Sequence, residues 1–177
     1  MSPLSLRRHE HALKGTRIVL VRPCYPENLG AVARAMMITG FKELTLVAPF
    51  KLADPAHPAA RKMAVGSRSI LENTAVVPVF DEAVGDRDIV VGTTARAGVR
   101  DITSPRQAAL EILDFAAAGK SVAIVFGGEG SGLRKDELSR CSMRVKIPMV
   151  GNEPSLNLSQ AVMVILYELL VSALSRQ

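Results

Sequence analysis

Ser121-Val122-Ala123-Ile124-Val125-Phe126-Gly127-Gly128-Glu129-Gly130-Ser131-Gly132-Leu133 carries the decision about the fold. Its first half is apolar and β-branched without alternation, the pattern of a strand buried on both faces of a parallel sheet. Its second half sets four glycines around one carboxylate. A tight strand-to-helix turn needs one or two glycines, whereas more of them let backbone N–H and C=O groups approach a ligand closely. Shorter runs of the same kind lie on either side: Arg17–Val21, Leu44–Ala48, Asp88–Gly92 and Met143–Ile147. Ala75–Phe80 adds an edge strand, because Pro78 cannot donate within a central ladder. Helical stretches separate these runs, so the chain reads as α/β, a mostly parallel sheet flanked by helices.

Helix boundaries follow from local chemistry. Asn28 reads as the N-cap of a helix that continues through Ala31, Ala35 and Ile38 to Gly40, its C-terminal stop. Ser104-Pro105-Arg106-Gln107 combines a capping box with proline at the first helical position. Asn157 and Gln160 form a capping pair for a last helix whose apolar residues, Leu158, Ala161, Val162, Ile165, Leu166, Leu169 and Leu170, recur at helical spacing. So broad an apolar face suits core packing or a dimer interface.

The chain has 177 residues, 48% apolar and 22% charged. That composition fits one globular domain over 1–177, with 1–15 as a flexible basic segment, and excludes a disordered or collagenous chain. Cys24 and Cys141 lie far apart without histidine partners, so we expect reduced thiols in a cytoplasmic protein and no metal site. The segment with Arg7, Arg8, His9 and His11 lacks the apolar core of a signal peptide. Ala161–Leu174 is too short to span a bilayer and contains Glu168, so no membrane partner is expected. The net charge of +5 favours a polyanionic partner. Aromatic residues are scarce at 4%, fewer than a binder built on stacking platforms would want.

Open α/β sheets bind ligands at the carboxyl ends of their strands. Three loops qualify: Thr93-Thr94-Ala95-Arg96, Gly127 to Gly132, and Pro148 to Ser155. Known nucleotide motifs do not fit them. The dinucleotide fingerprint fails because Leu133 stands where its third glycine belongs, and Gly119-Lys120-Ser121 runs from helix into strand, the reverse of a P-loop. Neither a GxSxG elbow nor an HExxH helix occurs.

Three segments together are more specific. Asn28-Leu29-Gly30-Ala31-Val32-Ala33-Arg34 resembles the first motif of the SPOUT-class RNA methyltransferases of the SpoU/TrmH family. Ile124 to Leu133 is similar to the second, and Ile147-Pro148-Met149 through Ser155-Leu156-Asn157-Leu158-Ser159-Gln160-Ala161 to the third. The resemblance implies a C-terminal trefoil knot that binds S-adenosylmethionine, a homodimer, and ribose 2′-O-methylation of RNA. Within the family the first and third segments look most like the branch that methylates an anticodon-loop cytidine or uridine of tRNA. Ribosomal RNA as substrate, or RNA binding without turnover, are the alternatives; a nicotinamide-dependent dehydrogenase stands far behind.

By the same resemblance, Thr93, Thr94, Ala95, Gly127, Gly128, Gly130, Leu133, Ile147, Met149, Pro154, Ser155 and Leu156 line the cofactor pocket. Arg34, Asn28, Glu129, Ser155 and Asn157 form the catalytic set. An arginine holds a phosphate bidentately and stabilises developing alkoxide charge, which suits Arg34. Arg7, Arg8, Lys14, Arg61, Lys62, Arg68, Arg96 and Arg100 are candidates for the RNA surface.

Overall fold

The computed structural model describes residues 15–151 and 155–176. The expected basic segment over 1–15 therefore falls, Gly15 aside, outside the described residues. The strands are β1 (Thr16–Val21), β2 (Glu43–Val47), β3 (Ala75–Val77), β4 (Ile89–Thr93), β5 (Ile102–Thr103), β6 (Val122–Gly127) and β7 (Met143–Val145). The helices are α1 (Pro26–Thr39), α2 (Pro58–Ala64), α3 (Arg68–Glu72), α4 (Phe80–Val84), α5 (Pro105–Ala117), α6 (Lys135–Ser139) and α7 (Leu158–Ser175).

The seven strands form one sheet in the order β3-β2-β1-β6-β4-β7-β5. Every pair is parallel. The continuous apolar runs have the expected cause, since successive side chains enter different cores. Ile18, Leu20, Ile124 and Phe126 pack with Leu29 and Met36 of α1, Ile112 of α5 and Leu166 of α7. Val19, Val21, Ala123 and Val125 pack with Phe80 of α4 and Leu138 of α6. Burying each such side chain contributes about 1.5–3 kcal/mol, which concentrates stability in β1 and β6 at the centre.

Three expectations are corrected. The first helix begins at Pro26, not after Asn28, and its N-cap is Tyr25. Proline at the first helical position needs no hydrogen-bond partner, so the chain enters the helix three residues earlier and frees the Asn28 side chain. Strand β7 stops at Val145 instead of Ile147, and the two-residue β5 was not anticipated. The last helix spans 18 residues, so by length and composition alone it is long and apolar enough to cross a membrane. In the fold it packs against α1 and α5, with Val162, Leu166 and Leu169 fully buried.

The other boundaries follow local chemistry. Gly40 takes a φ of 87° and donates its N–H to the Met36 carbonyl, ending α1. Ser104 Oγ accepts from Gln107 N at 3.3 Å, and Asn157 Oδ1 accepts from Ser159 N at 2.8 Å. Pro78 ends the edge strand β3 one residue before it.

Candidate functional site

The carboxyl ends of β4, β6 and β7 open into a cavity of about 350 Å³. Its walls are Thr93 to Arg96, Phe126 to Leu133, Val145, Ile147, Met149, Ser155, Leu156, Leu158 and Ala161. All the residues expected at the cofactor pocket line it except Pro154, which lies outside the described residues. Arg96, Phe126, Glu129, Ser131, Gly132, Val145, Leu158 and Ala161 complete the lining and were not among the residues expected at the cofactor pocket.

The glycine loop is shaped by close backbone approach. Gly128 donates to the Val21 carbonyl at 2.7 Å, and a Cβ on it would sit 2.0 Å from the Arg22 oxygen. A Cβ on Gly127 would meet the Gly132 carbonyl carbon at 2.1 Å, because the loop folds back on its own start. Behind the loop, Arg22 grips Glu137 with both guanidinium ends, Nη2 to Oε2 at 2.8 Å, and reaches the Gly132 carbonyl at 3.3 Å. Burial alone would push the Glu137 carboxyl up. Hydrogen bonds from Arg22 and from the Arg134 backbone outweigh it and hold the group below the usual carboxylate value. The only sequence signal for this pair was a charged residue directly after the apolar run of β1.

The opposite wall is fixed by backbone and hydroxyl bonds. Thr94 donates its N–H to Val145 O at 2.9 Å, and Thr93 Oγ1 donates to Val125 O at 3.1 Å. Arg96 Nη2 reaches across to the Ser131 carbonyl at 3.0 Å, joining two of the three loops.

Three of the expected catalytic residues form one hydrogen-bonded chain. Glu129 Oε1 accepts from Asn28 Nδ2, and Glu129 Oε2 accepts from the Cys24 N–H at 2.9 Å. Asn28 Oδ1 then accepts from Asn157 Nδ2 at 3.0 Å. Asn28 is buried, held inside the first turn of α1 between the glycine loop and the start of α7. Burial and the neighbouring Glu129 charge both push the Cys24 thiol up, so it is a poor nucleophile. Ser155 lines the cavity and is exposed.

Arg34 is not in this group. It lies six residues after Asn28, about 9 Å further along the helix and on another face. It is exposed, and among the described residues it has no hydrogen-bond or ion-pair partner. Lys62, Arg68, Arg96 and Arg100 are likewise exposed, and Arg61 meets Glu72 at 3.5 Å. Arg7, Arg8 and Lys14 lie outside the described residues. Among the described residues, no group of three or more His, Cys, Asp or Glu is placed to hold a metal ion.

A model of the SpoU rRNA Methylase family matches residues 15–167. The chain is 41% identical over 157 residues to the tRNA (cytidine-2'-O-)-methyltransferase TrmJ of Methanocaldococcus jannaschii, covering 86% of this chain and 66% of that protein. It is 38% identical over 163 residues to the tRNA (cytidine/uridine/adenosine-2'-O-)-methyltransferase TrmJ of Pseudomonas aeruginosa, covering 91% and 62%. Among solved structures, TrmJ from Z. mobilis ZM4 superimposes with a TM-score of 0.79 at 36% identity, over 88% of this chain and 68% of that one. The chain thus spans about two thirds of the length of the curated relatives it matches.

Proposed function

Because the chain belongs to the SpoU rRNA Methylase family, we propose that it transfers a methyl group from S-adenosylmethionine to a ribose 2′-oxygen of RNA. The substrate we assign is an anticodon-loop cytidine or uridine of tRNA; the TrmJ relatives are named for 2′-O-methylation of tRNA at cytidine, or at cytidine, uridine and adenosine. One observation carries the reading. The motif segments at the start of α1, after β6 and before α7 are drawn together by the Glu129–Asn28–Asn157 chain beside a single cavity.

The cavity suits the cofactor chemically. Its lining pairs apolar Ile147, Met149 and Leu156 with backbone polar groups from three irregular loops, the mixture that holds a flat purine by its faces and edges. When bound, S-adenosylmethionine supplies an activated methyl on a sulfonium that departs as a neutral thioether. The residues of this chain must then orient the ribose and stabilise charge on its oxygen. Glu129 already accepts from Asn28 and from the Cys24 N–H, so its role is to fix the loop and α1 relative to one another. Arg34, exposed and unpaired, has the fork geometry to hold the phosphate beside the target ribose and to offset developing alkoxide charge.

The same reading includes a C-terminal trefoil knot in a single domain spanning the chain, working as a cytoplasmic homodimer. Support for the knot is that β4 lies between β6 and β7 in the sheet while the segments following all three strands share one cavity. Support for the dimer is that Met37 and Ile38 of α1 and Tyr167 of α7 are exposed, and that Arg34 does not reach the cavity of its own chain.

The test is transfer of labelled methyl to unmodified tRNA and rRNA, with Arg34→Ala alongside. We expect label on tRNA ribose, a loss of at least about a hundredfold in the variant, and unchanged cofactor affinity. Label on rRNA alone would replace the substrate. Wild-type turnover by Arg34→Ala would remove the arginine from the mechanism.

A further inference from the structure

The chain has few aromatic residues, five Phe and two Tyr, and the fold does not use all of them for its core. Phe41, Phe80 and Phe126 are buried, but Tyr25 is 57% and Phe50 58% exposed. Both stand at the carboxyl edge of the sheet, the edge that carries the cavity. Tyr25 is the N-cap of α1, yet its side chain caps nothing, and its hydroxyl has no partner among the described residues. Phe50 sits in the turn after β2, where Ala53 N donates to Phe50 O at 2.8 Å and Ala53 is buried as an anchor.

These two positions belong to one rigid unit. Phe50 donates its N–H to the Pro23 carbonyl at 3.0 Å, tying the second loop to the first. The next residue, Cys24, donates its N–H to Glu129 of the glycine loop. The loop bearing Tyr25 is therefore bonded on one side to the loop bearing Phe50 and on the other to the wall of the cavity. Neither side chain lines the cavity itself; both stand on loops bonded to its wall, directly or through the other loop, where exposed apolar groups mark a binding surface more than a packing defect.

We infer that Tyr25 and Phe50 form a stacking platform for unpaired bases of the RNA, next to the nucleotide that enters the site. This rests on the RNA methyltransferase reading given above. An aromatic face beside a cation is the arrangement that recognises a base and its phosphate, and exposed Lys51 follows Phe50 directly. A second copy of the chain fits this patch less well, because the cores of protein–protein interfaces are depleted in lysine and this one lies between Phe50 and exposed Leu52. Stacking tolerates any base, so the platform would hold the loop open without adding sequence preference. The scarcity of aromatic residues limits it to two bases.

The experiment uses the full chain, unmodified tRNA transcripts and transcripts carrying 2-aminopurine in the anticodon loop. Tyr25→Ala and Phe50→Ala should each raise the RNA dissociation constant about tenfold and reduce 2-aminopurine quenching, with S-adenosylmethionine affinity and thermal midpoint held. Tyr25→Phe and Phe50→Tyr should restore binding and quenching, while Phe50→Leu, apolar without a π face, should not. Rescue by Phe50→Leu would overturn stacking as the cause. A change in sedimenting mass with the alanine variants would assign the patch to self-association instead. RNA methylation and binding that survive both alanine substitutions would overturn the platform and leave the enzyme reading intact. A wild-type chain with no affinity for tRNA or rRNA would overturn the enzyme reading and the platform with it.

Discussion

At the amino ends of the central strands, charged side chains satisfy one another. Arg17 of β1 donates to Glu43 at 2.6 Å and to Asp86 at 2.7 Å, and Arg87 donates to the same Glu43 oxygen at 2.6 Å. At the carboxyl ends the partners are mostly backbone: Gly128 N to Val21 O, Arg22 to Gly132 O, Cys24 N to Glu129. Arg22 and Ala48, just beyond β1 and β2, hold φ of 53° and 43°, a conformation that costs a non-glycine residue about 1 kcal/mol or more. One sheet thus has an edge whose charges are already matched and an edge whose backbone is bent around a space. The first contributes stability without chemistry. The second gives up some stability to form a cavity, with the Arg22–Glu137 pair as its brace.

Three measurements bear on that contrast. The largest effect belongs to Arg22→Ala, which strands Glu137, a side chain only 7% exposed, without its cation. We expect a loss of about 3–5 kcal/mol in chemical denaturation and weaker S-adenosylmethionine binding as the glycine loop loses its brace. Stability and affinity both near wild type would erase the distinction between the edges. Arg17→Ala should cost only about 1 kcal/mol, because Glu43 and Asp86 are 40% and 60% exposed and regain water readily. Its cofactor affinity, read by calorimetry, should stay unchanged; a fall would show the amino end shaping the cavity after all.

The mildest effect is on pH dependence. For Asp86, as for Glu137, burial alone would raise the carboxyl, and the paired arginine brings it below its ordinary value. A lowered folded-state pKa adds stability that is fully present above the ordinary value near about 4 and is lost as the pH falls through the lower folded value. Denaturation midpoints from pH 7 down to 3 should therefore drop through that window. Glu137→Gln should flatten the drop more than Asp86→Asn, given the deeper burial of Glu137; the reverse order would place the sensitive carboxylate at the amino edge.

The sheet was legible because a strand buried on both faces has no room for polar alternation, and β1, β2, β4 and β6 are such strands. Strand β5 was not, since two residues following a left-handed Asp101 leave no periodicity to read. The start of α1 was misread by weighting Asn28 as a cap over Pro26, although proline at the first helical turn is the stronger local constraint. Asn28 is better understood as a link between motifs, and that role depends on Glu129 and Asn157, which are distant in sequence. The cavity lining was largely legible through the motifs. Arg22 and Glu137 were not, because their pairing joins the end of β1 to a short helix and neither residue has a local pattern.

The pairing of first and sixth strands sets a schedule for synthesis. Cys24 and Glu129, joined in the finished site, are 105 residues apart. At a ribosomal pace of about 5–20 residues per second, the first of them waits roughly 5–20 s for the second. During that interval β1 has an open edge on its β6 side, and the part of α1 that packs on α7 is uncovered. A pause in translation before residue 122 would prolong the exposure of that edge and of that part of α1.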